Sequence, residues 1–255
     1  MSELSSKAAN FLYSQGIRKG DRVMVILKRH YEYWYTVLAL HKIGAILIPA
    51  TFMLTAKDII YRVDSADVKA IISADDERLS ESILEAKAQC KTLEKLFTVR
   101  KDHDGFVRLD SGLENESADF ERIENKTEDP FLMYFTSGTT GYPKAVMHNF
   151  SYPLAHIVTA KYWQNVEDGG LHLSVADTGW GKASWGKIYG QWLCGSACMV
   201  YDFEHFVADD LMKVVSKYNV TTFCAPPTIY RFLVKSGLDK YDFSKLHYVT
   251  TAGEA

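Results

Sequence analysis

The amino-acid sequence predicts an α/β protein with mainly parallel sheets and helices on their faces. Short apolar runs alternate with amphipathic helical patterns along the chain, as is typical of parallel sheets joined by helices. The apolar runs are continuous rather than alternating, which is expected of strands buried on both faces. The chain has 255 residues, 47% hydrophobic and 24% charged, the composition of a globular protein with one large or two small domains.

Six short runs of consecutive apolar residues are predicted to be buried strands. Their lengths suit strands better than helices. The runs are Val23–Leu27, Ala45–Pro49, Val68–Ile72, Lys95–Val99, Ala197–Tyr201 and Thr221–Ala225.

Helical spacing of apolar residues predicts the connections between these strands. A helix over Leu4–Leu12 is expected to stop at Gly16, and one over Tyr31–Leu38 is expected to stop before Gly44. Glycine commonly follows a helix because it adopts left-handed backbone angles without strain.

Two further helices are indicated by other signals. Thr55 and Asp58 have the spacing of a capping box, which predicts a helix starting between them. Asp209–Tyr218 is amphipathic, and Trp185, Tyr189 and Trp192 also keep helical spacing, which favours a core role for those aromatic residues.

The region near 101–130 departs from this alternation because it is polar and acidic. We interpret it as a solvated surface connection that can separate two lobes. The formal charge of −3 argues against a nucleic-acid partner. No apolar run reaches the length of a membrane span, and the first residues do not form a secretory signal. Oligomeric state is unknown from the sequence.

Four cysteines are candidates for either metal binding or burial. Cys194 and Cys198 can share one helix face, but no further Cys or His lies near them in sequence, so buried thiols are favoured for these and for Cys90 and Cys224. No metal ligand is therefore predicted. Cysteines of this kind fit a reducing compartment better than a disulfide scaffold.

The segment YFTSGTTGYPKAVMH, residues 134–148, contains the strongest chemical signal. FLMYFT before it and AVMH after it are strand patterns, and Pro143 opposes a helix at the exit. The loop is therefore expected between two strands, unlike the usual phosphate loop, which leads into a helix.

The residue types of this loop are those of a phosphate site. Gly138 and Gly141 allow successive backbone N–H groups to face one anion, and Lys144 adds a positive charge. Hydroxyl donors come from Thr136, Ser137, Thr139 and Thr140. An exposed hairpin turn rich in Ser, Thr and Gly is the alternative.

The motif T-S-G-T-T-G-x-P-K extends without mismatch from Thr136 to Lys144 and resembles the phosphate-binding signature of the adenylate-forming superfamily. That superfamily includes acyl-CoA synthetases, firefly luciferase and peptide-synthetase adenylation domains. Ala176–Ser196 looks like the corresponding segment of medium-chain acyl-CoA synthetases, also called butyrate–CoA ligases. Three further segments fit the same family: Ser6–Leu27, Thr221–Arg231 and Leu246–Ala255.

The resemblance implies a layered αβαβα-type large N-terminal domain, here truncated at both ends and without the small C-terminal domain. It also implies ATP, Mg²⁺ and coenzyme A as cofactors or co-substrates and a carboxylic acid as substrate. A fragment over residues 1–255 is expected not to form acyl-CoA alone. The expected compartment is the cytoplasm, or the mitochondrial matrix if a transit peptide precedes the chain.

The resemblance also assigns residue roles. Lys144 is the candidate catalytic residue, and the nucleotide-binding set is Thr136, Ser137, Gly138, Thr139, Thr140, Gly141, Tyr142, Pro143, Lys144, Gly253, Glu254 and Ala255. The last three residues match a segment on the adenine side of the pocket.

Trp180 and Gly181 match positions near the acyl tunnel, although core packing is an equal alternative for Trp180. His148 follows the loop and is expected to contact phosphate or solvent. Lys182 and Lys187 are expected to be solvated charges or to meet a phosphate of coenzyme A.

The leading interpretation is a fragment of an ATP-dependent, AMP-forming acyl-CoA synthetase for a medium-chain fatty acid. An aryl-acid–CoA ligase or another adenylating ligase is the first alternative. A non-catalytic nucleotide-binding protein is the second.

Overall fold

The computed structural model describes residues 1–136 and 141–253. The chain divides into two compact units, Met1–Ser151 and Tyr152–Ala255, called here the first and second unit. Each unit has its own mainly parallel sheet with helices between the strands, so the predicted α/β class is confirmed.

The first unit alternates strands and helices over most of its length. Its described elements are α1 (Ser2–Ser14), β1 (Arg22–Ile26), α2 (Glu32–Ile43), β2 (Ile46–Pro49), α3 (Ala56–Ala66), β3 (Ala70–Ser73), α4 (Glu77–Gln89), β4 (Lys95–Thr98), β5 (Val107–Arg108), α5 (Leu109–Gly112), β6 (Pro130–Thr136) and β7 (Lys144–Asn149).

The described strands of the first unit form a seven-stranded sheet in the order β5-β4-β3-β1-β2-β6-β7. Every neighbouring pair is parallel except β6 and β7, which form an antiparallel hairpin at one edge. Strand β1 lies in the middle, and its apolar residues from Val23 to Ile26 are fully buried. The continuous apolar runs therefore mark strands covered on both faces, as expected.

The helix boundaries follow the predicted signals. Helix α2 ends at Gly44, whose φ of 77° is left-handed. Helix α3 begins with a complete capping box, in which the Thr55 side chain accepts from the Asp58 backbone and the Asp58 carboxylate accepts from the Thr55 backbone. Helix α4 was not predicted, although the Asp76 side chain caps it by accepting from Leu79 N–H.

The polar region near 101–130 contains little regular structure, but it is tied to the first unit. The Asn10 side chain donates to the carbonyl oxygens of Ser117 and Asp119 at 2.9 and 2.8 Å. Lys19 Nζ lies 2.6 Å from an Asp129 carboxylate oxygen. The division between the two units comes later, after Ser151.

The second unit begins with helix and then builds a smaller sheet. Its described elements are α6 (Tyr152–Val158), a π-helical turn (Thr159–Trp163), β8 (Leu171–Ser174), α7 (Gly181–Lys187), α8 (Tyr189–Leu193), β9 (Ala197–Cys198), α9 (Ala208–Lys217), β10 (Thr222–Ala225), α10 (Pro227–Ser236) and β11 (Tyr248–Thr251).

The described strands of the second unit form a four-stranded parallel sheet in the order β11-β10-β8-β9. The strand predicted over Ala197–Tyr201 is present only as the two residues of β9. Apolar residues of β8, β10, α9 and α10 form the core, with Leu211 and Ala225 fully buried.

Two expectations for this unit were wrong. The helical pattern through Trp185 and Trp192 is split between α7 and α8, because Ile188 between them has non-helical angles of φ −138° and ψ −78°. Cys194 ends α8 whereas Cys198 lies in β9, so the two do not share a helix face. Both are free thiols, as are Cys90 and Cys224. The last two are buried as expected, whereas Cys194 and Cys198 are only half-buried, so the prediction of burial is wrong for them.

Candidate functional site

The predicted phosphate loop closes the hairpin of β6 and β7. Thr136 pairs with Lys144 at the last position of the ladder, and the Thr136 hydroxyl donates to the Lys144 carbonyl at 3.5 Å. The prediction that the loop joins two strands is therefore confirmed. Ser137, Gly138, Thr139 and Thr140 were predicted to bind nucleotide and lie outside the described residues.

The described exit of the loop is open to solvent. Gly141 has a φ of 93°, and a Cβ built on it would have no heavy atom within 4 Å. Tyr142 is 58% exposed, and Lys144 is also exposed at the start of β7. A left-handed glycine beside an exposed ammonium group is compatible with an anion approaching this side of the hairpin.

Helix α3 supports the exit of the loop through Tyr61. The Tyr61 hydroxyl donates to the Pro143 carbonyl at 2.8 Å, and its ring stacks on Tyr142 with centroids 5.0 Å apart and planes at 29°. The same ring meets Phe135, near the end of β6, edge to face at 6.4 Å. Sequence analysis missed Tyr61 because it occupies an ordinary position in an amphipathic helix.

His148 lies on β7 beyond the loop and is partly buried. Its ring packs edge to face against Tyr134 with centroids 5.7 Å apart. Burial lowers the pKa of His148 below its ordinary value, because desolvation disfavours the charged ring. The neutral ring therefore packs within the hairpin, and a contact with phosphate remains a prediction.

The predicted acyl-side residues lie in the second unit. Trp180 is the residue before α7 and is 57% exposed, while Gly181 is the first residue of that helix. The alternative that Trp180 is a core residue is therefore wrong. Its contact with an acyl group remains a prediction.

The two lysines of α7 are not the solvated charges that the sequence suggested. Lys187 is only 4% exposed, and its Nζ donates to the Ala176 carbonyl at 2.6 Å. Lys182 Nζ donates to the Ala252 carbonyl at 3.0 Å, directly before Gly253. Lys182 therefore connects the helix that follows Trp180 with the segment predicted to lie on the adenine side.

Gly253 ends the described part of this adenine-side segment. Its φ is 107°, and a Cβ built on it would again have no heavy atom within 4 Å. The preceding strand β11 is held by the Tyr230 hydroxyl, which donates to the Thr250 carbonyl at 2.8 Å. Glu254 and Ala255 were also predicted to bind nucleotide and lie outside the described residues.

The described residues contain neither a metal-binding cluster nor a membrane-spanning helix. No group of three or more His, Cys, Asp or Glu side chains is arranged to hold a metal ion. Within the same residues, every helix is too short or too polar for a transmembrane segment.

Two mainly parallel sheets with helices between their strands, together with a T-S-G-T-T-G-x-P-K loop, fit the class of adenylate-forming enzymes that the motif resembles. The family model described as "AMP-binding enzyme" matches residues 1–255. The chain belongs to this AMP-binding enzyme family.

Curated relatives are acyl-coenzyme A synthetases. Human acyl-coenzyme A synthetase ACSM4, named as mitochondrial, is 34% identical over 257 residues, covering 100% of this chain and 44% of the relative. Human ACSM5, also named as mitochondrial, is 35% identical over 254 residues, covering 98% of this chain and 43% of the relative. The chain thus spans a little less than half the length of the curated relatives it matches.

Solved structures share the fold. An acyl-CoA synthetase from Brucella canis superposes with a TM-score of 0.87 at 23% identity, over 99% of this chain and 46% of that one. The anthranilate CoA ligase AuaEII, in complex with anthranoyl-AMP, superposes with a TM-score of 0.91 at 20% identity, over 100% of this chain and 49% of that one. At these identities the likeness concerns the fold alone.

Proposed function

We propose that residues 136–144 bind the phosphate tail of ATP and that the protein activates a medium-chain fatty acid to acyl-CoA. The observation that carries the proposal is the intact T-S-G-T-T-G-Y-P-K loop, closing a hairpin in a member of the AMP-binding family. Relatives above 30% identity are acyl-coenzyme A synthetases, which supports this activity over an aryl-acid ligase.

The described donors fit a polyphosphate. Thr136 offers a hydroxyl group whose present hydrogen bond, to the Lys144 carbonyl, is long at 3.5 Å. Lys144 offers an exposed ammonium group, and Gly141 leaves free space beside the backbone. Donors of this kind stabilise an anion by charge and by hydrogen bonds from groups already in position.

The proposed reaction has two steps. A carboxylate oxygen attacks the α-phosphorus of ATP, so the bond to the bridging oxygen breaks and pyrophosphate leaves with its electron pair. The thiolate of coenzyme A then attacks the acyl carbon and AMP leaves. Lys144 and the loop hydroxyl groups act in the first step by offsetting the negative charge that accumulates on the departing pyrophosphate.

Mg²⁺ remains an expectation for this site. When bound, the ion would neutralise part of the charge on the phosphates. The described residues do not provide a cluster of carboxylates for it, and no step above depends on a protein ligand to the metal.

The remaining roles are proposed for the second unit. Trp180 and Gly181 line the entrance for the acyl group, and Gly253, Glu254 and Ala255 lie beside the adenine. The chain covers less than half of the length of its relatives, and we expect the 255 residues alone not to form acyl-CoA. Relatives named as mitochondrial favour the mitochondrial matrix over the cytoplasm, which fractionation of cells expressing the full gene would test.

ATP–pyrophosphate exchange by the full gene product, with a panel of acids, tests the function. Exchange that depends on butyrate or octanoate supports the proposal. Exchange with an aryl or amino acid instead would indicate another adenylating ligase, and no exchange with any acid would indicate a non-catalytic nucleotide-binding protein.

The Lys144→Ala variant tests the loop itself. We expect exchange to fall at least tenfold, since a charged hydrogen bond to an anion contributes about 1.5–3 kcal/mol. The melting temperature should change little because Lys144 is exposed. Lys91→Ala, at another exposed lysine of the first unit, is the matched control. Equal exchange by the two variants would contradict the assignment.

A further inference from the structure

The described exit of the loop, from Gly141 to Pro143, lies outside the β6–β7 ladder. Gly141 is in a left-handed conformation with open space around it, and β7 is exposed along most of its length. The ladder to β6 begins only at Lys144. Among the described residues, the two just before Lys144 are contacted by a side chain from outside the hairpin.

Tyr61 provides such contacts on both sides of the loop. Its hydroxyl group holds the Pro143 carbonyl at 2.8 Å and its ring covers Tyr142, which fixes the exit. The edge of the same ring meets Phe135 on the entry strand. The neighbouring Arg62 places its guanidinium carbon 5.4 Å from the centre of the Phe135 ring.

The helix that carries Tyr61 is itself firmly placed. Ile59 and Val63, on the opposite side of α3 from solvent, are fully buried in the core of the first unit. The capping box of Thr55 and Asp58 satisfies donors at its first turn. Tyr61 therefore anchors the exit of the loop to a helix that is itself held in the core.

We propose that Tyr61 is a positioning residue that sets the direction in which Lys144 leaves the loop. Pro143 immediately precedes Lys144, so orienting the Pro143 carbonyl orients the peptide that leads into the lysine. A loop held in place before the anion arrives loses less conformational freedom on binding, which strengthens binding. This inference rests on the proposed phosphate-binding role of the loop.

Two substitutions separate the hydroxyl group from the ring. Tyr61→Phe removes the hydrogen bond and keeps the stacking on Tyr142, whereas Tyr61→Leu removes both. Tyr13→Phe is the matched control, since Tyr13 is a partly exposed tyrosine of α1 in the same unit. All variants are made in the full gene product.

The first measurement is amide hydrogen exchange of Tyr142, Lys144 and Ala145 without nucleotide, since Pro143 has no amide hydrogen. One hydrogen bond contributes about 0.5–1.5 kcal/mol, so Tyr61→Phe should speed exchange there roughly two- to tenfold. Tyr61→Leu should speed it further, and Tyr13→Phe should leave it unchanged. Unchanged exchange in Tyr61→Phe would overturn the inference, whether or not the protein binds nucleotide.

The second measurement is binding and kinetics. Affinity for ATP and for inorganic pyrophosphate should fall by a similar roughly two- to tenfold factor in Tyr61→Phe, with the KM for the fatty acid unchanged. A general loss of stability would instead weaken the binding of both ATP and the fatty acid.

Failure of the two proposals can be told apart. If the parent protein binds neither ATP nor pyrophosphate, the phosphate-binding function fails. If the parent binds them, and if Lys144→Ala weakens this binding but Tyr61→Phe does not, only the positioning role fails.

Discussion

At the scale of single residues, His41 shows how packing controls charge in the first unit. Its ring stacks on Phe131 with centroids 3.9 Å apart and meets the edge of Phe150 at 6.4 Å. Burial lowers the pKa of His41 to about 3. The folded protein therefore keeps this ring neutral, whereas the unfolded chain binds a proton below about pH 6.5.

The sign of the pH dependence follows. Because the unfolded state binds more protons, stability is fully present above about pH 6.5 and falls as the pH drops toward 3. Between pH 6.5 and 5, protonation of this histidine in the unfolded state should lower the parent's free energy of unfolding by about 2 kcal/mol. The His41→Gln variant should lack this decrease, which urea denaturation at the two pH values measures. His205→Gln, at an exposed histidine, should keep the parent's slope. Equal slopes in all three proteins would contradict the explanation.

Individual residues also show where sequence reasoning stops. The loop residues were predictable because glycine, hydroxyl and lysine chemistry occurs within one short segment. Tyr61 contacts Pro143 across 82 positions, a relation that no local pattern encodes. Lys187 was expected in solvent because lysine is rarely buried, but the carbonyl oxygens of Ser174, at the end of β8, and of Ala176 accept hydrogen bonds from its ammonium group.

At the scale of secondary-structure elements, Gly190 explains how closely α8 approaches α6. A Cβ at this position would lie 2.2 Å from the His156 carbonyl oxygen and 2.9 Å from Ala160 Cβ. Backbone atoms cannot move aside as a flexible side chain does. The two helices can therefore keep this distance only with glycine at position 190.

Replacing Gly190 by Ala should lower the free energy of unfolding by about 1–3 kcal/mol or more, because the added methyl group must displace the backbone of α6. Gly186→Ala is the matched control in α7, where the nearest atom to an added Cβ is Ser174 Oγ at 3.4 Å. That change should leave stability unchanged or raise it by up to about 1 kcal/mol, as alanine favours helix. A Gly190→Ala variant as stable as the control would refute the close-contact explanation.

Some elements could be found from sequence and others could not, for physical reasons. The strands around β1 were predictable because both faces are buried and nearly all of their residues are apolar. Strand β8 was missed because it contains a buried polar residue, His172, whose Nδ1 lies 2.8 Å from the Thr222 hydroxyl oxygen. A hydrogen bond between side chains of two strands allows polar residues to be buried, so the strand lacks a continuous apolar run. The sequence does not show which residue will be the partner.

At the scale of the whole molecule, the predicted site residues fall into two groups. The described loop residues belong to the first unit, whereas Trp180, Gly181 and Gly253 belong to the second. The sequence resemblance supplied this set of residues without their places in the fold. The unit boundary was not predictable because the polar region near 101–130, which looks like a linker, is held by side chains of α1 and by Lys19.

The first unit has what a separate folding domain needs. Its seven-stranded sheet is complete within Met1–Ser151, and its core joins apolar residues of β1, β2, β3, α3 and α4. We therefore expect residues 1–151 alone to unfold cooperatively in urea and to keep the near-ultraviolet circular dichroism of the buried Trp34. Residues 1–129 are the control, because losing β6 exposes the edge of β2 and removes Phe131 from its stack with His41. That shorter chain should lack a cooperative transition. If residues 1–151 also lack one while residues 1–255 have it, the two units do not fold independently.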